Sequence, residues 1–554
     1  MVLRLGIGFD LGTSGFRAQS IDLNTGKILS TAITLRHPVP GANVMDHLHF
    51  AVEVSEDVAN ALMLDTIATL FEQLDVNLEE VERAAVCGNP IQLSIFQNIE
   101  IRDLAWAGKK KLELEGVVPP SRNATILKAS DLKLNINPDA DVIIPPAIRH
   151  EIGADALAMM FKSGFLETKE IALVTDFGTN AEIALKVDGD IYSGSAAAGP
   201  AIEGQHIEDG MLAAPGAISD LQQEGAYYRC IVLDENILAQ KGDLINTSVG
   251  KVIEEGPMHG KAKGVTGTGV IAAIAYGLDS GLIKLPKIDT SDKILHLQDG
   301  VRITEKDVLE AGKALGAFRA GHITLVEEAG ITLNDVNEMY MCGAAGTYVD
   351  AVKSKMVGQI PATSERIYQV GNTSLAMAVD LVRDPSLLDR LQKIADEMRA
   401  KHVMFATAPV FEFAYLQELA YWDEGMPFQM YNQMLKFKKI QEIPPPSKTT
   451  KIEKKLKRDI PDVGEMGLKV LKEIGVTLVA EFEGCTECEK CAEECPEDAI
   501  FYDFPKIFVL SDLCDGSACV RCEKVCPEHV FNFHMLEHSA EKIAKKMEVT
   551  QAKT

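Results

Sequence analysis

Apolar positions near the start of the chain predict three consecutive β-strands. Leu3–Asp10 is an almost continuous apolar run, and Phe16–Leu23 alternates between apolar and polar side chains. A third apolar run, Ile28–Leu35, follows the turn residues Asn24–Lys27. Turn residues between such runs are typical of antiparallel strand pairs. The pattern therefore predicts a small meander at this end of the chain.

The same order of elements returns far downstream. Strands are predicted over Ile171–Asp176 and Ala181–Val187, and a third begins at Ile191 after a tight turn. Both copies carry one shared tetrad at the first turn, DLGT at Asp10–Thr13 and DFGT at Asp176–Thr179. A repeated strand–turn–strand unit predicts two homologous halves.

Longer segments between and after these copies have apolar residues at helical spacing. The predicted helices are Val54–Leu74, Asp155–Ser163, Val270–Gly281 and Glu305–Ala329. Because strands alternate with helices, the pattern predicts an α/β fold.

The pattern changes near residue 440. Ile443–Thr450 holds three consecutive prolines, which exclude a helix interior and a central strand. The basic stretch Lys451–Arg458 is predicted to be a solvated linker or a short exposed helix, with a docking strip for an acidic partner as the alternative. The predicted domains are a first half at 1–165, a second half at 166–440, a linker at 441–460 and a small domain at 461–554.

Composition and charge narrow the classes of function. The 554-residue chain carries a formal net charge of −26, which argues against nucleic acid as a partner, since phosphates require a basic surface. No run approaches the ~18 uninterrupted apolar residues of a membrane span, and Met1–Phe9 lacks the features of a signal peptide. We therefore expect a cytoplasmic protein with no membrane partner. Cys87, Cys230 and Cys342 are expected to be reduced, buried thiols.

The other eight cysteines lie in two short runs that each end in Cys-Pro. Paired runs of this kind are the ligand pattern of two [4Fe–4S] clusters, in which the cysteine before proline binds the neighbouring cluster. The first predicted cluster is bound by Cys485, Cys488, Cys491 and Cys526. The second is bound by Cys514, Cys519, Cys522 and Cys495.

Other uses of these thiols fit the spacing less well. Zinc also accepts sulfur ligands, but its sites favour two separated Cys-x2-Cys pairs. A disulfide framework is disfavoured in a chain without secretory features. The second run does depart from the usual spacing, since Asp515–Ala518 places four residues where the first run has two.

The repeated Asp-x-Gly-Thr turn suits a phosphate site. Its glycine lets backbone N–H groups approach phosphate oxygens, its threonine adds a donor, and its aspartate suits a hydrated Mg2+. A plain hairpin turn is the alternative for either copy alone. A further small-residue segment, Met341–Thr347, offers a close passage for a nucleoside, with a packing turn between a helix and a strand as the alternative. The glycine-rich Gly264–Gly269 matches neither a Walker A loop nor a Rossmann fingerprint.

These turns together resemble the phosphate and adenosine motifs of the actin, sugar kinase and Hsp70 superfamily. Other segments resemble the signatures of the reductive activators of corrinoid proteins, namely Gly88–Asn89, Ala196–Gly204, Ala213–Ile218, Thr266–Gly269 and Gly371–Ser374. Many members of that family carry a [2Fe–2S] domain ahead of this body, whereas this chain has a two-cluster ferredoxin after it. That placement resembles the activators that serve methylamine methyltransferase systems.

The resemblance implies a fold, cofactors and an activity. The implied fold is a duplicated actin/Hsp70/sugar-kinase-like ATPase body followed by a small α+β bacterial-ferredoxin-like domain. The implied cofactors are ATP, Mg2+ and two [4Fe–4S] clusters. The implied activity is ATP-dependent reduction of inactive Co(II) to active Co(I) on corrinoid methyl-carrier proteins, with methylamine-type partners expected and an unidentified low-potential electron donor.

The resemblance also implies site residues. The expected catalytic residues are Asp10 and Asp176, which would position Mg2+ and water. The expected nucleotide contacts are Gly12, Thr13, Ser14, Gly178, Thr179, Asn180, Gly343, Ala344 and Gly346.

Two other functions fit the same residues. One is an ATP-driven electron injector for another metalloenzyme, similar to the activators of 2-hydroxyacyl-CoA dehydratases, although those hold a single cluster between two subunits. The other is a nucleotide-sensing scaffold in which the ferredoxin is structural and no reaction is catalysed.

Overall fold

The computed structural model describes residues 4–106, 109–148, 152–178, 180–196, 206–235, 237–455 and 460–539. The chain forms two compact units, and each is assembled from separate stretches of sequence. The first unit comprises Met1–Asp155, Ser374–Ala395 and Asp462–Thr554, and the second comprises Ala156–Thr373 and Asp396–Pro461. The cysteine-rich end of the chain therefore belongs to the same unit as the amino-terminal half.

A seven-stranded sheet forms the centre of the first unit. From edge to edge its strands are β22 (Leu468–Leu471), β3 (Ile28–Thr34), β2 (Gly15–Asp22), β1 (Leu5–Gly12), β4 (Val81–Gly88), β6 (Asp141–Ile144) and β5 (Thr125–Lys128). β1 to β3 are antiparallel, while β4 and β6 extend the sheet in parallel. β1 is buried along nearly its whole length, which explains its continuous apolar sequence.

Helices cover this sheet, and several begin at polar caps. Asn43 caps the first helix by accepting from two backbone N–H groups, and Ser55 caps the second. The helices wholly or mostly in this unit are α1 (Val44–Glu53), α2 (Glu56–Glu72), α3 (Pro90–Gln97), α4 (Arg102–Ala105), α5 (Lys109–Leu114), α11 (Thr373–Arg383), α12 (Leu387–Met398), α15 (Lys490–Glu493) and α16 (Arg521–Val525).

The main sheet of the second unit repeats the same plan. Its strands are β21 (Lys451–Lys454), β20 (Arg366–Gly371), β19 (Glu338–Cys342), β7 (Ala172–Phe177), β8 (Ala181–Val187) and β9 (Asp190–Ala196). β7 to β9 form an antiparallel meander, and β19 and β20 then continue in parallel. The order β9-β8-β7-β19-β20 thus matches β3-β2-β1-β4-β6, and the predicted duplication is confirmed.

The rest of the second unit surrounds one large apolar core. Its further strands are β10 (Ala217–Glu224), β11 (Tyr227–Leu233), β12 (Ala239–Asn246), β13 (Lys251–Glu254), β14 (Gly264–Val265), β15 (Ile283–Lys284), β16 (Lys287–Ile288), β17 (Ile294–His296) and β18 (Arg302–Thr304). Its helices are α6 (Ala154–Ser163), α7 (Gly267–Asp279), α8 (Glu305–Glu328), α9 (Gly343–Tyr348), α10 (Ala351–Val357), α13 (Pro409–Asp423) and α14 (Phe428–Phe437).

The basic stretch after the prolines is not the linker or short helix that its sequence predicts. Lys451–Lys454 forms β21, which pairs in parallel with β20 at the edge of the sheet. All four side chains of this strand are exposed, so the segment shows no apolar period that would reveal it. Lys455 next to it places its ammonium 5.6 Å from the centre of the Tyr340 ring. The following residues of the stretch, 456–458, lie outside the described residues.

The cysteine-rich segment forms a small four-stranded sheet with two short helices. Its strands, in spatial order, are β24 (Ile500–Asp503), β25 (Lys506–Leu510), β23 (Thr477–Glu481) and β26 (Glu537–Ser539). β24 and β25 pair as an antiparallel hairpin. This ferredoxin-like module, residues 477–539, packs on α1 through the rings of Phe50 and Phe533, whose centres lie 5.9 Å apart.

Candidate nucleotide and cluster sites

The turn between β1 and β2 contains the first predicted phosphate site. Gly12 pairs with Gly15 across the hairpin, so Thr13 and Ser14 form its tip. A Cβ on Gly12 would lie 2.9 Å from the Gly15 carbonyl oxygen, and one on Gly15 would lie 2.7 Å from that of Thr34. Side chains at both positions are therefore excluded, and the tip is held close to the neighbouring strand.

Asp10 lies in β1, two residues before Gly12, and is only 4% exposed. The Nη1 atom of Arg17 donates to Asp10 Oδ2 at 3.3 Å. Arg17 was not among the residues predicted for the site. Its position could have been inferred, because a two-residue turn at Thr13–Ser14 sets Arg17 opposite Asp10 in the hairpin register.

The second predicted turn lies at the end of β7. Asp176 is paired with Cys342 of the parallel strand β19, and Gly178 and Asn180 follow it. Thr179 lies outside the described residues, as do residues 197–204 of the segment predicted to carry a family signature. A Cβ on Gly178 would make ordinary van der Waals contact, with the Asn180 carbonyl oxygen nearest at 3.5 Å.

The third predicted segment meets this second turn. Gly343 has φ +80°, and a Cβ on it would lie 2.3 Å from Asp176 Oδ1. Gly343 and Ala344 begin the short helix α9, so the predicted turn is a strand-to-helix junction. Gln369 fixes this junction because its Nε2 donates to the carbonyl oxygens of Gly346 at 2.9 Å and Val349 at 2.8 Å.

The two units thus build equivalent half-sites. Asp10 has buried Cys87 beside it on the next parallel strand, and Asp176 has buried Cys342 in the same place. Burial raises the pKa of each thiol well above its usual value, and the neighbouring aspartate adds to the effect. Both thiols are therefore neutral, as predicted for ordinary buried cysteines.

The eight clustered cysteines line two separate cavities in the ferredoxin-like module. One cavity is lined by Cys485, Cys488, Cys491 and Cys526. The other is lined by Cys495, Cys514, Cys519 and Cys522. Each cavity gathers three sulfurs from one run and the Cys-Pro sulfur of the other. Four thiols around one cavity are the donor set that a [4Fe–4S] cluster requires.

The backbone repeats between the two cysteine runs. Glu489 and Val520 follow the second cysteine of each run, and both have positive φ, at 63° and 42°. Asp498 and His529 lie three residues after each Cys-Pro cysteine and also have positive φ, at 49° and 53°. Non-glycine residues rarely adopt this conformation, so its recurrence at matched positions shows that both runs wrap their cavities in the same way.

Backbone N–H groups point at several of these sulfurs. The N–H of Ala499 donates to Cys495 Sγ at 3.3 Å, and that of Gly516 donates to Cys514 Sγ at 3.4 Å. Burial opposes ionisation of the Cys526 thiol, yet hydrogen bonds from the backbone of residues 528–531 lower its pKa below the usual value. Such donors stabilise the thiolate form that binds metal.

The duplicated sheets and the two four-thiol cavities define a class of protein, an actin-like ATPase fold joined to a ferredoxin-like module. Two family models match consecutive parts of the chain, the "RACo middle region" at residues 5–168 and the "C-terminal domain of RACo the ASKHA domain" at residues 170–432. A "Co(II) methylated amine-specific corrinoid protein reductase" from Methanosarcina barkeri is 51% identical over 89% of this chain and 91% of its own length. The chain belongs to the family of reductive activators of corrinoid proteins.

More distant relatives agree with this assignment. The "corrinoid activation enzyme RamQ" of Eubacterium limosum is 25% identical over 76% of this chain and 71% of its own length. A solved structure of a "reductive activator for corrinoid, iron-sulfur protein" superposes with a TM-score of 0.61 at 23% identity. That match covers 76% of this chain and 66% of the solved one, and it shows the shared fold. Among the described residues, no helix is long and apolar enough to cross a membrane.

Replacing Gly343 by alanine tests the contact between the third segment and the second turn. The new methyl group would collide with Asp176 Oδ1, and we expect nucleotide affinity to fall about tenfold or more, which corresponds to ~1.4 kcal/mol or more of binding free energy. Calorimetric titration with ATP would measure it. Gly281→Ala is the matched control, because Gly281 has φ +73° and no atom within 4 Å of its Cβ position. Equal affinities in the two variants would show that Gly343 is not part of a nucleotide site.

Replacing Cys488 by serine tests the cluster assignment. One cavity then lacks a thiolate, and we expect the chain to lose about half its iron, roughly four of eight atoms, while it still binds nucleotide. Iron analysis and electron paramagnetic resonance after anaerobic reconstitution would measure this loss. Thr486→Ala, a change between two of the predicted ligands, should keep the full iron content. Unchanged iron in Cys488→Ser would remove Cys488 from the ligand set.

Proposed function

We propose that the chain is an ATP-dependent reductase that returns Co(II) in corrinoid methyl-carrier proteins to Co(I). The observation that carries the proposal is the presence in one chain of duplicated Asp-x-Gly turns and two four-thiol cavities. The first element suits a nucleotide and the second suits electron transfer. The name of the Methanosarcina relative supports a carrier of the methylamine type as the partner.

The nucleotide contacts follow from the two half-sites. Asp10 and Asp176 would position Mg2+ and its water ligands, because each carboxylate lies at the end of a central strand beside the glycine turn. The backbone of Gly12, Thr13 and Ser14 would hold phosphate oxygens in one unit. Gly178, Thr179 and Asn180 would do so in the other, and Gly343, Ala344 and Gly346 would flank the nucleoside. Arg17 adds a positive charge beside the first turn.

The two cavities would hold two [4Fe–4S] clusters. Cys485, Cys488, Cys491 and Cys526 would bind one, and Cys514, Cys519, Cys522 and Cys495 would bind the other. A bound cluster supplies one-electron transfer. The protein contributes the thiolates, the N–H donors to sulfur, and a module fixed on the first unit, which keeps the distance between cofactor and body constant.

ATP is needed because Co(I) is a strong reductant, so electron transfer from a reduced cluster is uphill. A coupling of ~5 kcal/mol between nucleotide binding and the redox equilibrium would shift a one-electron potential by about 200 mV. Such coupling requires two conformations of the protein that differ in affinity for the nucleotide and in the ease of cobalt reduction.

The spectrum of the cobalt corrinoid provides the test of this function. The protein, a strong reductant and a Co(II) methylamine corrinoid protein are mixed without oxygen, with and without ATP and Mg2+. We expect Co(I) to form only when ATP is present. Reduction that is independent of ATP, or no reduction with it, would contradict the proposal and favour a scaffold.

Asp10→Ala tests the role of the nucleotide half-site. We expect this variant to lose ATP-dependent cobalt reduction by at least ~100-fold, as when a metal-positioning group is removed, while iron content is unchanged. Asp139→Ala removes an exposed carboxylate in the same unit and should behave as wild type. If Asp10→Ala lost iron as well, the nucleotide half-site and the clusters would not be separable.

A further inference from the structure

The four-residue insert of the second cysteine run has a structural use. Gly516–Ala518 forms a short 3-10 turn, and Gly516 is buried. A Cβ on Gly516 would lie 3.3 Å from the Pro40 carbonyl oxygen and 3.5 Å from the Gly41 nitrogen. The N–H of Gly41 also donates to the carbonyl oxygen of Cys514 at 2.9 Å. Through these contacts, the backbone around Cys514 of the second cavity packs against the loop that follows β3.

A chain of hydrogen bonds supports that loop, residues 35–43. It runs from His37 through two side chains outside the loop and returns to Gly41. His37 Nε2 donates to Gln92 Oε1 at 2.8 Å, Gln92 Nε2 donates to His47 Nδ1 at 2.9 Å, and His47 Nε2 donates to the Gly41 carbonyl oxygen at 3.3 Å. The two imidazole rings stack with their centres 3.8 Å apart. Burial lowers the pKa of His37 to about 4 and that of His47 well below its usual value, so both rings are neutral, as these bonds require.

The same loop also contacts the chain next to the turn between β1 and β2. The edge of the Phe16 ring packs on His37 with centres 5.1 Å apart. The N–H of Phe16 donates to Thr34 Oγ1 at 2.8 Å, and that hydroxyl donates to the Arg36 carbonyl oxygen at 2.9 Å. Gly15, at the end of the turn, has no room for a Cβ against Thr34. Direct contacts therefore join the turn to the loop.

We propose that this connection couples the nucleotide at the β1–β2 turn to the second cluster cavity, with His37, Gln92 and His47 as positioning residues and the Gly516 insert as the point of contact. It rests on the proposed function, because it takes that turn as a phosphate site and that cavity as a cluster site. The contact bears directly on a ligand: Gly516 is both the residue against Pro40 and the donor to Cys514 Sγ. Hydrogen bonds to cluster sulfurs set reduction potentials, so a shift of this loop would change how readily the second cluster gives up its electron.

The first cavity provides an internal comparison. Its ligand Cys488 is exposed, and the spacing of its run is the usual one without an insert. The contacts that join the loop of residues 35–43 to the module involve Cys514 and Gly516 of the second run. The coupling is therefore specific to the second cavity.

Hydrogen exchange of the full chain, with and without a non-hydrolysable ATP analogue and Mg2+, tests the connection before any activity is measured. We expect the nucleotide to change exchange in three segments, residues 12–16, 35–47 and 510–520. A change in the first two without the third would overturn this inference and leave the proposed function intact. No change at residues 12–16 would remove the nucleotide half-site itself, and this coupling with it.

Deletion of Asp515 and Gly516 is the decisive variant, because it removes the residue that contacts Pro40. It leaves two residues between Cys514 and Cys519, the spacing of the first run, so iron content is expected to be unchanged. Both the deletion and its parent carry Cys488→Ser, so that only the second cluster is kept. Redox titrations followed by electron paramagnetic resonance measure its midpoint potential. In the parent without the deletion, the ATP analogue should shift this potential. The shift should be lost in the deletion. An equal shift in both chains would refute the coupling.

Two point variants separate the connection from general damage. Gln92→Leu removes the bridge between the two histidines at similar volume and should reduce the nucleotide effect on residues 510–520 by at least half, with exchange at residues 12–16 still responsive. Gly516→Ala presses on Pro40 and should act in the same direction. Gly475→Ala, at φ +73° with no atom within 4 Å of its Cβ position, should leave the response as in wild type. A control variant that lost the response equally would mean that the effect is not carried by this contact.

Discussion

Close backbone approach, possible only where glycine lacks a Cβ, is the constraint on which this structure depends. Gly15 lies against Thr34, Gly343 against Asp176, and Gly41 against Asp46, each at a distance that no side chain would permit. These contacts occur where a strand ends and the chain turns. They fix the position of the turn backbone relative to its neighbours, and a phosphate site built from N–H groups requires such fixed positions. The lack of a Cβ likewise allows Gly516 to pack against Pro40.

The duplication gives each unit one set of these features. Each aspartate ends a central strand, with a buried cysteine beside it on the next parallel strand. The units differ in what is added. The first carries the ferredoxin-like module, whereas the second carries an extra five-stranded sheet and the α8–α13 helix pair.

Much of this arrangement could be predicted from sequence because its signals are local. The tetrads at Asp10 and Asp176 recur within equal strand patterns, and the hairpin register that follows from them also places Arg17. The cysteine spacing likewise indicates which sulfurs share a cavity, through the known exchange at Cys-Pro. The ligand and nucleotide roles remain predictions until they are tested. The order of strands in the sheets could be anticipated only through the duplication.

Other features could not be predicted because they arise from distant contacts. The sequence of β21 is typical of a basic linker. Its pairing with β20 depends on backbone hydrogen bonds at an exposed edge of the sheet. The grouping of Asp462–Thr554 with the amino-terminal half depends on β22 joining β3, a contact between residues more than 400 positions apart. The insert at Asp515–Ala518 appears in the sequence as a departure from normal spacing, and only the folded chain shows what it touches.

The surroundings of the two cavities are unequal, and this inequality bears on how an electron carrier can be controlled. The first cavity opens at Cys488 among exposed carboxylates such as Glu487, Glu489 and Glu493. Negative charge of this kind steers a basic protein surface towards it, and it makes the addition of an electron less favourable. The second cavity has one ligand backbone bonded to the body of the first unit. If each cavity holds a cluster as proposed, the first would be placed to exchange electrons with partners, because Cys488 is exposed. The second would be placed to respond to the rest of the first unit, because the backbone of Cys514 is hydrogen-bonded to it.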